Sequence, residues 1–119
     1  MSTTDNAPAS TPPPPYWAVV FTSVRTSGDE AGYSRAAERM VELAKQQRGY
    51  LGYESARDSG GLGLTVSYWD SLESIARWRA DVEHAEAQRQ GRERWYASYA
   101  LRVCRVERAW DFAAPASGG

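Results

Sequence analysis

The sequence predicts a single α+β domain in which four antiparallel strands carry two helices on one face. Three observations lead to this fold class. The apolar residues alternate between period two and period 3.6 in the order β-α-β-β-α-β. A glycine-rich turn separates the two middle strands. The length of 119 residues is enough for one domain and too short for two.

The first half of the pattern is a strand followed by a helix. Tyr16–Val24 is largely apolar on both faces, which is typical of a strand covered on both sides. A turn cluster occupies residues 26–29, and from Tyr33 to Leu43 the apolar residues recur at helical spacing. Gly49 suits the position just after a helix end, where glycine adopts a left-handed conformation without steric cost.

The middle of the chain reads as a β-hairpin. Tyr50–Arg57 and Gly63–Trp69 both show strand patterns, and the turn at residues 58–61 contains Asp, Ser and two Gly residues. A short turn of this kind joins neighbouring strands, so these two strands are expected to run antiparallel.

The last third predicts a helix and a final strand. Asp70 or Ser71 is the expected helix cap. An apolar stripe follows at Leu72, Ile75, Trp78 and Val82, and a polar stretch leads through Glu83–Arg94. Tyr99–Trp110 is rich in β-forming residues and is predicted as the last strand. The complete order is the split βαβ, or ferredoxin-like, arrangement.

The ends of the chain differ in composition from the middle. Residues 1–15 contain five of the six prolines and little that can be buried, so this Pro-rich tail is predicted to be disordered. Residues 16–112 form the predicted domain. Residues 113–119 are mostly small and end in two glycines, and are predicted to be a flexible C-terminal tail.

Composition excludes several classes of function. The net charge of −1 provides no basic surface for nucleic acid or an anionic membrane. No run approaches the ~18 apolar residues of a membrane span, and no secretory signal is recognisable, so a cytoplasmic protein is expected. With one His and one Cys, the chain alone cannot build a standard zinc site, and no metal is predicted.

The predicted sheet has one face that the helices cannot cover. That face includes half of a first strand that is apolar on both sides, and a large exposed apolar surface is unfavourable for a monomer. A two-fold pair is the commonest way to bury such a face. We therefore expect a homodimer.

The segment from strand three into helix two carries a recognisable pattern. Trp69 ends the strand, Trp78 lies on the helix, and His84 follows six residues later. This arrangement resembles the antibiotic biosynthesis monooxygenase family, and the resemblance extends over Tyr16–Phe112. It implies ferredoxin-like domains that pair into a dimeric α+β barrel. It also implies oxidation of anthrone or quinol-type aromatic substrates by O₂ without a cofactor.

Some members of that family degrade haem. They use an Asn on the first strand, a Trp on the second helix and a haem-ligating His further along that helix. Trp78 matches the Trp, whereas the first strand offers Phe21, Thr22 and Ser23, and Gln88 stands ten residues after Trp78. The predicted cofactor is therefore none, with haem binding or degradation kept as an alternative.

The predicted site follows from the same resemblance. Trp78 and His84 are the candidate catalytic residues, with His84 as base or hydrogen-bond donor because an unperturbed His titrates near neutral pH. The candidate substrate-binding residues are Trp69, Tyr68, Tyr53 and Trp95. Each also has a purely structural interpretation, such as a core Trp or a surface His. A non-catalytic dimeric module that binds a small aromatic molecule is the other alternative.

Overall fold

The computed structural model describes residues 7–26, 30–89 and 96–115. It contains strands β1 (Tyr16–Arg25), β2 (Tyr50–Arg57), β3 (Leu62–Trp69) and β4 (Tyr96–Val106), and helices α1 (Glu30–Lys45) and α2 (Leu72–Arg89). The predicted β-α-β-β-α-β order is confirmed. Neither of these two helices combines the length and apolar character needed to cross a membrane.

The strands form one antiparallel sheet in the order β2-β3-β1-β4, as the ferredoxin-like prediction requires. The last strand ends at Val106 rather than at Trp110, because Val106 pairs with Tyr16 and β1 offers no partner beyond that point. Trp110 is accordingly 84 % exposed.

The core lies between the sheet and the two helices. Val19 of β1 and Trp69 of β3 are almost completely buried, and they pack with Leu43, Ala44, Ile75 and Trp78 from the helices. Side chains two residues apart on a strand share a face, so the odd-numbered residues of β1 and β3 face the helices. Leu72, predicted on the apolar stripe of the second helix, lies at its first position and is half exposed.

A tight junction connects the end of α1 with the start of α2. Gly49 has a φ of +98°, and its carbonyl accepts a 2.8 Å hydrogen bond from the Asp70 amide. Ser71, one of the two predicted caps, accepts the Ser74 amide at 3.1 Å. The Ser74 hydroxyl donates to the Asp70 carboxylate at 3.0 Å. The hairpin and the helix therefore meet in a shared network of hydrogen bonds.

The sheet face opposite the helices, which we call the open face, carries part of the N-terminal segment. The Ala9 amide donates to Glu54 Oε2 at 2.8 Å, and the Thr11 hydroxyl donates to the Tyr16 hydroxyl at 2.9 Å. Tyr16 and Ala18 are each only 5 % exposed. Residues 7–15 have no helix or strand, and they are held against the sheet by contacts that composition alone does not indicate.

Candidate active site

A cavity of about 330 Å³ lies between helix α1 and the helix-facing side of the sheet. Strands β1, β2 and β3 form its floor, α1 forms one wall, and Trp78 of α2 and Tyr96 of β4 close the sides. Its size is at the lower end of the ~300–1,000 Å³ range of small-molecule sites. The cavity therefore suits a small ligand.

The floor is organised by the register of the strands. Three rows run across it from β2 through β3 to β1, and all their members point to the helix side. The rows are Tyr53–Ser67–Val19, Ser55–Thr65–Phe21 and Arg57–Gly63–Ser23. The floor therefore presents hydroxyl groups beside aromatic rings. The Ser55 and Thr65 hydroxyls lie 3.2 Å apart and share a hydrogen bond.

Trp78 joins the two helices at the edge of the cavity. Its side chain is 6 % exposed, and its indole Nε1 donates to the Met40 carbonyl of α1 at 3.1 Å. Its ring lies 5.3 Å from the Trp69 ring, tilted by 32°. Both Met40 and Trp78 line the cavity, so this contact fixes the position of one wall.

Trp69 lies behind Trp78 and is fully buried. Its indole Nε1 donates to the Ser67 hydroxyl at 2.8 Å. On the other side it meets Tyr50 edge-on, with ring centroids 5.8 Å apart. Burial raises the pKa of the Tyr50 hydroxyl, and the nearby Tyr53 adds to this effect. Tyr50 and Ser67 line the cavity, and Trp69 holds them from behind.

Charged side chains lie around the cavity at its solvent side. Glu38, Glu42, Lys45 and Arg57 are all exposed residues among its lining. Lys45 Nζ lies 5.4 Å from the centre of the Tyr53 ring, which is within the range of a cation–π contact. The cavity is therefore apolar and hydroxyl-lined inside, with charges of both signs at its rim.

The predicted site residues fall in four different places. Trp78 and Tyr53 line the cavity, and Trp69 supports it from behind. Tyr68 lies on the open face, because it is the neighbour of Trp69 on the same strand. His84 is exposed on α2 and is not among the lining residues. Trp95 lies outside the described residues.

Tyr68 takes part in a separate network on the open face. Its hydroxyl donates to Glu54 Oε1 at 2.7 Å, and its ring meets Tyr16 edge-on at 5.9 Å. Burial, followed by the hydrogen bond and charge of Glu54, raises the pKa of Tyr68 well above its usual range. Glu54 thus accepts from Tyr68 with one oxygen and from Ala9 with the other.

Sequence reasoning did not single out the floor hydroxyls or the α1 residues of the wall. Ser67, Ser55 and Thr65 carry no motif. The alternation of side chains along the strands could have identified them, because each lies on the same sheet face as Trp69 or Tyr53. Met40 falls within the predicted helical stretch from Tyr33 to Leu43 but was not predicted at the site.

The cavity offers limited means of holding a metal or haem. Within the described residues, no three His, Cys, Asp or Glu side chains lie close enough together to form a metal site. Haem can be held by an axial His, Cys, Met or Tyr ligand. The one His of the chain is not among the lining residues, whereas Met40, Tyr50 and Tyr53 are. The described residues therefore place no His of α2 in the cavity, where the haem-degrading members of the family would need one.

The fold is that of a ferredoxin-like domain with a cavity between its sheet and its helices. The sequence profile of the antibiotic biosynthesis monooxygenase family matches residues 17–90. The chain is also 53 % identical over 100 residues to the uncharacterised protein YqjZ of Bacillus subtilis (strain 168), with 84 % of this chain and 87 % of YqjZ covered. The chain therefore belongs to the antibiotic biosynthesis monooxygenase family.

Solved structures agree with this fold. SnoaB, a cofactor-independent oxygenase from Streptomyces nogalater, superimposes with a TM-score of 0.63 at 13 % identity, covering 81 % of this chain and 97 % of SnoaB. Rv0793 from Mycobacterium tuberculosis gives a TM-score of 0.62 at 15 % identity, covering 83 % of this chain and 99 % of its own. At this level of identity the similarity establishes the fold.

Proposed function

We propose that the protein is a cofactor-independent monooxygenase that oxidises a small reduced aromatic compound of the anthrone or quinol type. The observation that carries the proposal is the 330 Å³ cavity, with Trp78, Tyr53 and Phe21 around a floor of hydroxyl groups. Aromatic walls suit a flat ring system, and a few placed polar groups suit its oxygen atoms. Membership of the family, and the similarity to a cofactor-independent oxygenase, support the oxidative chemistry.

The proposed reaction needs no external reductant, because the substrate supplies the electrons. Loss of a proton from an anthrone-type carbon gives an electron-rich anion. One electron passes from this anion to O₂, and the resulting substrate radical and superoxide combine through a new C–O bond. Protonation gives a hydroperoxide, which loses water and leaves a carbonyl group. One oxygen atom enters the product and the other leaves as water.

The cavity residues assist the reaction in two ways. They position the substrate ring, and they change the electrostatic environment of the substrate anion. Trp78 and Tyr53 hold the ring plane, while the apolar wall from α1 keeps water away from the reacting anion. Lys45 at the rim places a positive charge near the Tyr53 ring. A cation near an anion favours the anionic form. Lys45 is thus proposed to favour a planar anion at its end of the cavity.

His84 has a different place in the proposal from the cavity walls. It is exposed on α2 and does not line the cavity, so we propose that it accepts the substrate proton through one bridging water molecule rather than by direct contact. A base acting in this way can be replaced by a free base in solution. We expect His84→Ala to lower kcat by several-fold and added imidazole to restore it. An unchanged kcat in His84→Ala would contradict the role of this residue.

A second copy of the chain is proposed to cover the remaining part of the open face. Val24, Leu62 and Leu64 are 37 %, 48 % and 44 % exposed, and the β1–β3 register places them close together, away from the segment at Ala9. Adjacent exposed apolar side chains commonly mark an interface. Light scattering coupled to size exclusion gives the oligomeric state. A monomer at micromolar concentration would contradict the homodimer.

Oxygen uptake with a panel of anthrones and naphthoquinols tests the reaction. We expect uptake above the uncatalysed rate, and a fall of at least tenfold in kcat/KM for Trp78→Phe. Trp110→Phe is the matched control, because Trp110 is 84 % exposed and lies outside the sheet. Tight binding of the panel without oxygen uptake would instead favour a ligand-binding module, and would overturn the monooxygenase proposal.

A further inference from the structure

We infer that the Ser67 hydroxyl donates a hydrogen bond to an oxygen atom of the aromatic ligand, and so selects oxygenated rings over plain hydrocarbons. This inference rests on the proposed function, because it assumes that the ligand occupies the cavity. It adds to the proposed function that an oxygen atom of the ligand is recognised and that Ser67 recognises it.

The position of Ser67 makes it a deep group on the floor. It lies on β3, between Tyr53 of β2 and Val19 of β1. The residue is 5 % exposed and lines the cavity. A hydroxyl in such a place is shielded from bulk water, so a hydrogen bond to a ligand there competes little with solvent.

The hydrogen bond from Trp69 determines that the Ser67 oxygen acts as the acceptor and leaves the Ser67 hydrogen available for donation. An indole N–H donates only, so at 2.8 Å Trp69 Nε1 is the donor and Ser67 Oγ the acceptor. The Ser67 hydrogen is then left for a second partner. In the part of the chain that the structure describes, the indole is the one side chain with which Ser67 forms a hydrogen bond. Buried hydroxyls normally use their donor, and an oxygen atom of a ligand can accept it.

The indole that orients Ser67 is itself rigidly held. Trp69 is fully buried between the Tyr50 ring at 5.8 Å and the Trp78 ring at 5.3 Å. A hydroxyl that accepts one hydrogen bond becomes a better donor of the next, and the bond strengthens further when the acceptor is an anion. Trp69 therefore polarises Ser67 toward a phenolate or carbonyl oxygen.

The neighbouring hydroxyls of the floor are differently placed. Ser55 and Thr65 bond to each other at 3.2 Å, and Ser55 lies in an exposed part of β2. The oxygenated end of the ligand is therefore assigned to the Ser67 side of the floor, next to Trp78. The remainder of the ring system then extends along the wall of α1 toward Phe21.

Binding of two matched probes tests this assignment without any turnover. The probes are 2-naphthol and naphthalene, which have the same ring system and differ by one hydroxyl group. Equilibrium dialysis against the full chain gives a Kd for each. In the wild type, the ratio Kd(naphthalene)/Kd(naphthol) contains the contribution of the hydrogen bond. We expect Ser67→Ala to lower this ratio about tenfold, which corresponds to about 1.4 kcal/mol.

Ser98→Ala is the control, since it removes an exposed serine hydroxyl of β4 that does not line the cavity. We expect it to leave the ratio unchanged within twofold. Ser67→Cys keeps nearly the same side-chain volume with a weaker donor, and it is expected to give an intermediate ratio. This second variant also serves if thermal melting shows that Ser67→Ala does not fold.

Other results would overturn the inference. They are an unchanged ratio in both Ser67 variants, an equal fall in Ser67→Ala and Ser98→Ala, or equal weakening of both probes. Catalysed oxygen uptake combined with an unchanged ratio would overturn this assignment and leave the proposed function standing. Failure of the wild type to bind either probe would overturn the assignment together with the aromatic-cavity proposal.

Discussion

The Trp78 indole donates to the Met40 carbonyl at 3.1 Å, and through this bond a single side chain fastens α2 to α1 beside the cavity. The same ring packs on Trp69 in the core. Because one residue joins both helices and forms a cavity wall, its substitution is expected to affect stability as well as ligand binding. The two effects can be separated by measuring both on the same variant.

Trp78→Phe removes the indole donor and part of the packed ring. We expect it to lower the free energy of unfolding by about 1–3 kcal/mol, from the lost hydrogen bond and the space left behind. Denaturant unfolding followed by circular dichroism measures the change. Trp110→Phe, at an exposed position, should stay within about 0.5 kcal/mol of the wild type. Equal effects in the two variants would contradict the proposed packing role of Trp78.

Gly49 and Gly60 form a matched pair for testing the junction between the helices. A Cβ at Gly49 would collide with the Ser74 hydroxyl and the Asp70 carboxylate, and the φ of +98° is unfavourable for any L-residue. A Cβ at Gly60 would meet only the Asp58 side chain, at 3.5 Å or more. We expect Gly49→Ala to destabilise the fold by about 2 kcal/mol or more and Gly60→Ala to change it by less than about 0.5 kcal/mol. Thermal and denaturant unfolding of the two variants provide the comparison.

Tyr68 predicts a dependence of stability on alkaline pH. Its pKa is raised in the folded state by burial and by Glu54, whereas in the unfolded chain it is about 10. The unfolded state therefore loses its proton first as pH rises. The stabilisation is complete below pH ~10 and is lost progressively above it, toward the folded pKa. Tyr68→Phe should show a shallower fall in the free energy of unfolding between pH 9 and 11, and an identical slope would refute the assignment.

The N-terminal segment predicts a local effect of proline at position 9. Ala9→Pro removes the amide that donates to Glu54, so residues 7–15 should be cleaved faster by a nonspecific protease. Ser10→Pro is the neighbouring control, because the amide of Ser10 takes part in none of the described contacts with Glu54 or Tyr16. Limited proteolysis read by mass spectrometry gives the rates. Equal cleavage of the wild type and Ala9→Pro would show that this hydrogen bond does not hold the segment.

The order of the elements was predictable because it rests on hydrophobic periodicity, which acts locally along the chain. The same periodicity contains information about the site that residue type alone does not. Trp69 and Tyr68 are neighbours on β3 and must face opposite sides of the sheet, although both were predicted to bind substrate. His84 follows Trp78 by six residues, a rotation of about 240° around a helix, so the two cannot share a face.

Other features depend on contacts between distant parts of the chain. The bond from Ala9 to Glu54 joins residues 45 positions apart, and nothing in the composition of the N-terminal segment identifies its acceptor. The pairing of Trp69 with Ser67 is local in sequence, but its importance becomes visible only when the cavity beside it is known. Periodicity therefore predicts the framework, and the site depends on tertiary packing.

The row arrangement of the cavity floor has an evolutionary consequence. The strands are held together by backbone hydrogen bonds, so the side chains at positions 53, 55, 65 and 67 can be exchanged without changing the pairing of β2 with β3. Each exchange alters one place on the surface of the cavity. A lineage can thus change the shape and polarity of the cavity through a few substitutions of alternate residues, while relatives retain the same scaffold. In such a domain the cavity lining can therefore diverge while the strand pairing stays the same.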